Sequence, residues 1–326
     1  MKYPIPAVSA FLAIIIISHS GCKKSGSESN SPKDTLTAGW AKTGNPFSNF
    51  IQGGDIAFQD NTTGYVSSRS QNATYKTTNG GYSWSYIYNM GFHNMCLTPD
   101  HKLFGVNLMY DTLYRSGDGG ISFSRQQPAS LHMPYDVAFG DNNTGILCAY
   151  QGFFYTQNGG LSWNSLGLLP GIVDEAAASM FNNNTGWVVY NNKVYHANGT
   201  ITSWHLDTVP APTSNIGLTA IAPVSASVVY VVSITGYLFK STDGGYSFTF
   251  LQKIPNGNLT SKCDMQFLDA ATGYLSNGSR IYKTTDGGNN WSVIVALENQ
   301  TINEIHFIDA SHGWALCNNG EVLKFN

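Results

Sequence analysis

Charge is what this chain has least of. Only 11% of its 326 residues are Asp, Glu, Lys or Arg, against about 25% in a typical soluble protein. Arginine is scarcest of all, and Arg69, Arg115, Arg125 and Arg280 are the whole set. The net charge is −3, and beyond residue 35 the balance is 18 acidic to 13 basic residues. A surface like that lacks the basic footprint that nucleic acid needs. It exerts no pull on anionic lipid either. Five cysteines are present, none in a CxxC pair, so the spacing of a zinc or redox site is missing. No P-loop, HExxH or Ser/His/Asp order is found. The histidines of the chain show no ligand spacing. Long 3.6-residue periodicity is absent too, which excludes a helical protein.

Long apolar runs are equally scarce. The one candidate covers residues 5–17 and is broken by Pro6 and Ser9. It is too short for a comfortable spanning helix of ~20 residues. Preceded by Lys2 and followed by the small residues Ser20 and Gly21, it reads as an export signal. Small residues ahead of Cys22 resemble a bacterial lipoprotein signal, which implies cleavage after residue 21 and a lipid on Cys22. His19 departs from the aliphatic residue usual there, and a plain secretory signal with a chance Cys is the alternative. Residues 22–35 then carry no aromatic residue and no aliphatic one, and are expected to be a flexible tether. Export makes disulfides permissible. Cys96 with Cys148, and Cys263 with Cys317, are the pairs that neighbouring repeats would allow. Those bridges are the alternative, and four buried free thiols are the preferred reading.

What the chain does have is Gly, Tyr and Phe, and a repeat. TTNGGYSW (77–84), SGDGGISF (116–123), TQNGGLSW (156–163), STDGGYSF (241–248) and TTDGGNNW (284–291) share one pattern, and ANGTITSW (197–204) is a worn copy. The closing aromatics Trp84, Phe123, Trp163, Trp204, Phe248 and Trp291 follow one another at 39, 40, 41, 44 and 43 residues. A second frame lies between them: Phe58/Asp60/Gly64, Phe139/Asp141/Gly145, Phe267/Asp269/Gly273 and Phe307/Asp309/Gly313, softened at Met180/Asn182/Gly186. Leu97 and Ile221 hold the anchor in two divergent units. Seven anchors make seven repeats. Each reads as four short strands joined by tight turns, and that period means a β-propeller. The last unit ends after its third strand. Trp40 stands 44 residues before Trp84, so the N-terminal strand is expected to complete the seventh blade and remove the open edge. The expected fold is therefore all-β, a seven-bladed propeller over residues 36–326.

The S/T-x-D-G-G-x-x-W motif is the Asp-box, or BNR repeat. With the F-x-D-x3-G frame ahead of it, the chain resembles the photosystem II assembly- and stability-factor-like family of Asp-box propellers over residues 36–326. That resemblance implies a non-enzymatic scaffold that binds a protein or glycan. Here it would act as a monomer in the bacterial cell envelope, held to the membrane by its lipid alone. The basic face used within that family has no counterpart in four arginines, so a partner of another type is expected. The box residues Asn79, Asp118, Asn158, Asp243 and Asp286 can bond N–H groups of their own turn. Trp84, Phe123, Trp163, Phe248 and Trp291 are expected to pack between blades. All ten are read as structural.

Asp-box propellers also include sialidases and other glycosidases, which is the alternative reading. The four arginines do not converge, and the domain's glutamates (Glu175, Glu298, Glu304, Glu321) are scattered. No carboxylate pair is evident of the kind a glycosidase sets ~5–10 Å apart.

Two features are candidates for binding. Three residues before four of the anchors stand Asp55, Asp136, Asp264 and Glu304, a partial carboxylate ring at the channel. It would take a divalent cation or a partner's basic side chain, unless each acid serves its own loop. Phe47, Phe50, Phe92 and Tyr135 lie on loops as a candidate contact surface, unless they plug gaps between blades. No other cofactor is expected.

Overall fold

The computed structural model describes residues 33–47, 51, 54–150, 152–168, 176–210, 216–254 and 263–326. The lipidation site Cys22 and the candidate Phe50 lie outside them. Within the unit from Lys33 to Asn326 the chain forms seven antiparallel sheets. They are the blades of a propeller; five run in chain order from an inner to an outer strand, and the other two take an N-terminal strand at their outer edge.

The inner strands are Gly54–Phe58, Asn94–Leu97, Pro134–Phe139, Ala177–Asn182, Leu218–Pro223, Asp264–Phe267 and Ile302–Asp309. Each ends at or just beyond an anchor position, as the frame predicts. The frame itself has a steric cause. Phe58 pairs with Gly64, Phe139 with Gly145, Phe267 with Gly273 and Phe307 with Gly313. A Cβ on Gly64 would meet the Phe58 ring at 2.5 Å, and one on Gly313 would meet the Phe307 ring at 2.3 Å. The anchor ring lies flat over its cross-strand partner, and only Gly leaves it room. The Asp between them closes the turn: Asp60 Oδ1 accepts the amides of Thr62 and Thr63 at 2.8 and 2.7 Å.

The outer turns are equally local. Ser122 donates its amide to Asp118 Oδ1 (2.9 Å) and its hydroxyl to Oδ2 (2.6 Å). Those bonds hold the Asp118 carboxyl down at about 2. Ser116 donates to Asp118 and accepts from Gly120 N. The same pattern recurs at Asn79, Asn158, Asp243 and Asp286. Both glycines of each turn have positive φ, for example +70° and +84° at Gly119 and Gly120, which favours Gly over residues with a Cβ. Blade 4 lacks the acid, because Gly199 stands in its place.

Seven apolar clusters fill the described residues, one for each seam between neighbouring blades. The anchor is the centre of most seams. Phe58 stacks on Trp314 of blade 7 at 3.6 Å and meets Trp84 of its own blade edge-on at 6.1 Å. Phe267 does the same with Tyr230 and Trp291, and Phe307 with Tyr274 and Trp40. Pairs like these add about 0.5–1.5 kcal/mol beyond area burial.

Trp40 thus occupies the closing-aromatic position of blade 7. Its strand, Trp40–Lys42, pairs with Val322–Phe325 and completes that blade. The folded part begins before residue 36. Thr35–Leu36 adds a fifth strand to blade 6, with Thr35 opposite Ala296. Asp34 accepts the Glu298 amide and pairs with Lys42 at 2.8 Å. The outer strand Ser292–Ala296 offers unpaired backbone groups, which a polar segment can satisfy without burying side chains. The last two or three residues of the expected tether are therefore tied down. Among the described residues, helix is confined to one 3-10 turn, Leu108–Tyr110, capped by the Asn107 side chain.

Candidate functional site

The inner strands surround a central cavity of about 650 Å³. Side chains three residues before each anchor face it, and so do those one residue before. The first set is Asp55, Asn94, Asp136, Ala177, Leu218, Asp264 and Glu304. The second is Ala57, Cys96, Ala138, Ser179, Ala220, Gln266 and His306. All but Leu218 line the cavity. The four acids therefore share one space.

Three of the four are committed to backbone amides. Asp55 accepts from Ile56 N in its own strand and from Met95 N in blade 2. Asp136 accepts from Val137 N at 2.8 Å and from Ala178 N of blade 4 at 2.8 Å. Asp264 accepts from Met265 N at 2.7 Å and from Ile305 N of blade 7 at 2.9 Å. One oxygen serves the acid's own strand and the other the next blade. β-Bulges in three inner strands, between Pro134/Asp136, Leu218/Ala220 and Ile302/Glu304, interrupt the ladder at this level. Each of these three carboxylates ties its own strand to the next blade, and charge-assisted bonds of this kind contribute about 1.5–3 kcal/mol apiece.

Sequence reasoning missed the second row. Gln266 donates to Phe307 O at 2.6 Å and accepts from Phe307 N at 2.8 Å. His306 Nε2 lies 3.0 Å from Phe58 O, across the 7–1 seam. Burial pushes the His306 imidazole below its ordinary range, against the Phe58 carbonyl and the Asp264 charge, which pull it up. The signal was present as position rather than residue type: both side chains stand one residue before an anchor, so they share a face with the acids.

The arrangement has chemical consequences. A general acid needs a proton and an edge free to deliver it. Asp55, Asp136 and Asp264, with both oxygens on N–H groups, have no free edge for that role. Among the described residues no three His, Cys, Asp or Glu converge into a cation site. The cation expectation thus rests on sequence alone. Cys96, Cys148, Cys263 and Cys317 are free thiols, as preferred from the sequence, and neither possible bridge is formed. Burial pushes the thiols of Cys96 and Cys263 up to about 12, where they are poor nucleophiles.

The aromatic contact surface is corrected by burial. Phe47 is 3% exposed, Phe92 0% and Tyr135 3%. Phe92 lies over Gly105, where a Cβ would meet its ring at 2.4 Å. Phe47 packs edge-on to Tyr75 at 5.3 Å. They fill seams, because a loop crossing between blades turns its apolar side chains inward. The large apolar side chains that are exposed sit elsewhere. Tyr82, Ile121, Leu161 and Tyr246 are 48–84% exposed and follow the paired glycines of their turns.

No family model matches the chain, and no curated protein matches it. Solved structures share its fold. YCF48 from Cyanidioschyzon merolae aligns with a TM-score of 0.69 at 18% identity, over 89% of this chain and 99% of that one. YCF48 bound to D1 peptide aligns at 0.69 and 15% identity, over 88% and 96%. Virginiamycin B lyase from Staphylococcus aureus aligns at 0.71 and 14% identity, over 87% and 97%. The chain is a seven-bladed β-propeller similar in fold to these proteins. One architecture serves a peptide-bound protein and a lyase, so function must be argued from the site.

Proposed function

We propose that the chain is a non-catalytic binding scaffold of the bacterial cell envelope. It is exported by its first 21 residues, lipidated at Cys22, and carries an Asp-box propeller that holds a protein or glycan partner as a monomer. The observation that supports this most is the state of the cavity acids. Asp55, Asp136 and Asp264 are held on neighbouring backbone, which suits a rigid frame and deprives a hydrolase of its acid and base. The cavity of about 650 Å³ is the size of a small-ligand or peptide-side-chain site. A protein of the same fold bound to a peptide adds support by analogy.

The test is recovery of partners from native envelope by the lipidated chain and by Ser179→Trp, which fills the cavity without removing any of the inter-blade bonds described above. Proteins and sugars recovered with each are identified by mass spectrometry and monosaccharide analysis. The proposal expects a discrete partner with the wild type that Ser179→Trp loses while its melting temperature is kept. An identical set with both variants contradicts it.

A further inference from the structure

The seams are not equivalent, and one repeated position shows why. Before the first residue of each outer turn (Ser or Thr in blades 1–3, 5 and 6, Ala197 in blade 4), and before Phe325 in blade 7, stand Lys76, Arg115, Tyr155, His196, Lys240, Lys283 and Lys324 in blades 1–7. Five of seven are permanent cations; two bond across a seam, and three lie over a ring of their own blade that packs in a seam. Lys76 Nζ donates to Gly119 O of blade 2 at 2.8 Å, and Arg115 Nε to Gly159 O of blade 3 at 3.0 Å. Lys240, Lys283 and Lys324 lie 5.1–5.7 Å over Tyr230, Tyr274 and Trp314. Tyr230 and Trp314 themselves donate to Gly287 O and Gly80 O of the following blades.

Blade 3 has Tyr155 at this position, and blade 4 departs further. Trp187 donates to Gly244 O of blade 5 at 2.8 Å, but the residue beside it is His196. That imidazole is 1% exposed, and neither nitrogen has a hydrogen-bond partner. Asp207 Oδ2 is 3.4 Å from Nδ1 but not aligned for a bond. Tyr246 of blade 5 closes over the ring edge-on at 4.3 Å, and the exposed His205 stacks at 5.6 Å. The inner ties are missing at the same seam. Blade 4 carries Ala177 where Asp55, Asp136 and Asp264 reach across, and the blade 5 anchor is Ile221 instead of a stacking Phe. Among the described residues, the 4–5 seam has neither a carboxylate tie nor a permanent cation. It rests on the Trp187 bond, on a backbone bond from Leu218 N to Asn191 O at 2.6 Å, and on apolar contacts around Trp187, Val189, Ile216 and Phe239.

We infer that the seam between blades 4 and 5 is an acid-sensitive opening point of the ring, keyed by protonation of His196. The groups facing it are Asp207 and His205 from the outer strand of its own blade, and Asp243 and Tyr246 from the turn of blade 5. Burial lowers its affinity for a proton, and His205 works in the same direction. Asp207 and Asp243 oppose them, and the balance stays on the side of the neutral ring. Opening the seam returns the imidazole to water, where it titrates near 6.5. The open form therefore binds the proton more tightly. The closed seam keeps its full stability above about pH 6.5 and loses it as pH falls from there to the folded-state value.

Amide hydrogen exchange at pH 7.5 and 5.5, corrected for intrinsic rates, tests this on the wild type, His196→Phe and His205→Asn. At pH 5.5 the wild type should open faster at Lys193–Asn198 and Leu218–Pro223, by up to about tenfold, because pH 5.5 lies one unit below the open-form value of about 6.5. The inner strands of blades 1–3 should change far less. His196→Phe should lose this response and His205→Asn keep it, with His196→Asn standing in if the Phe variant misfolds. The inference is overturned if the response is absent in the wild type, survives in the His196 variants, vanishes in His205→Asn, or appears equally at blades 1–3. An imidazole titration of His196 in the wild type, by NMR, that gives an ordinary or raised value overturns it as well.

Discussion

Between blades 1 and 2, Asp55 bonds the Met95 amide near the axis and Lys76 bonds the Gly119 carbonyl near the rim. Between blades 4 and 5, Ala177 and His196 occupy those two positions. Both seams bury large apolar clusters, so hydrophobic burial alone does not separate them. What separates them is directional. The first is pinned at both ends by charged groups on backbone partners, and the second by two uncharged bonds, from the Trp187 indole to Gly244 O and from Leu218 N to Asn191 O. A closed ring of similar blades can therefore hold seams of unequal strength, and the weakest decides where it opens first.

The largest effect should come from the closing seam. Trp314 is fully buried, stacks on Phe58 at 3.6 Å and donates to Gly80 O. Trp314→Ala should cost about 3–5 kcal/mol in chemical denaturation. Trp187→Ala, equally buried but without an anchor ring to stack on, should cost less. If the two losses match, the stacking contribution assigned to the anchor is wrong.

Removing an inner tie comes next. Asp55→Ala leaves the amides of Ile56 and Met95 without their acceptor, at about 1–3 kcal/mol each. The converse substitution, Ala177→Asp, offers the 4–5 seam the tie it lacks. It should add roughly 1 kcal/mol, read as a rise in denaturation midpoint at unchanged slope. A loss of stability there would mean that the blade 4 strand is not placed to reach across.

Lys76→Met removes the charge of an outer latch and keeps its stem. A drop of about 1 kcal/mol is expected, with no corresponding change at the 4–5 seam by hydrogen exchange. The smallest effect is expected from divalent cations. Calcium or magnesium should leave the melting temperature in place, because three ring carboxylates already hold backbone N–H groups. A clear saturable rise would restore the ring as a cation site.

Much of this architecture was legible in sequence because the turns are chemically demanding. Paired glycines at positive φ and a Gly beneath each anchor Phe tolerate few substitutes, so they recur visibly. Closure by Trp40 was legible for the same reason, since a closing aromatic must meet its anchor. The cavity acids were also visible, though their partners were not. Asp55 and Met95 lie 40 residues apart, and the bond runs from a side chain to a backbone amide, which leaves no residue-type signature. The aromatics Phe47, Phe92 and Tyr135 were misplaced because a loop in sequence need not be a surface in space. The early start at Thr35 was hidden because edge pairing draws on backbone groups that every residue carries.

The most direct test of the unequal seams is native-state hydrogen exchange at pH 7.5 on the wild type and on Ala177→Asp. The wild type should show its lowest opening energy among the inner strands at Leu218–Pro223, below Asn94–Leu97 and Ile302–Asp309. Ala177→Asp should raise that value selectively. Uniform protection of all the inner strands, or first opening at a seam tied by Asp55 or Asp264, would contradict the account.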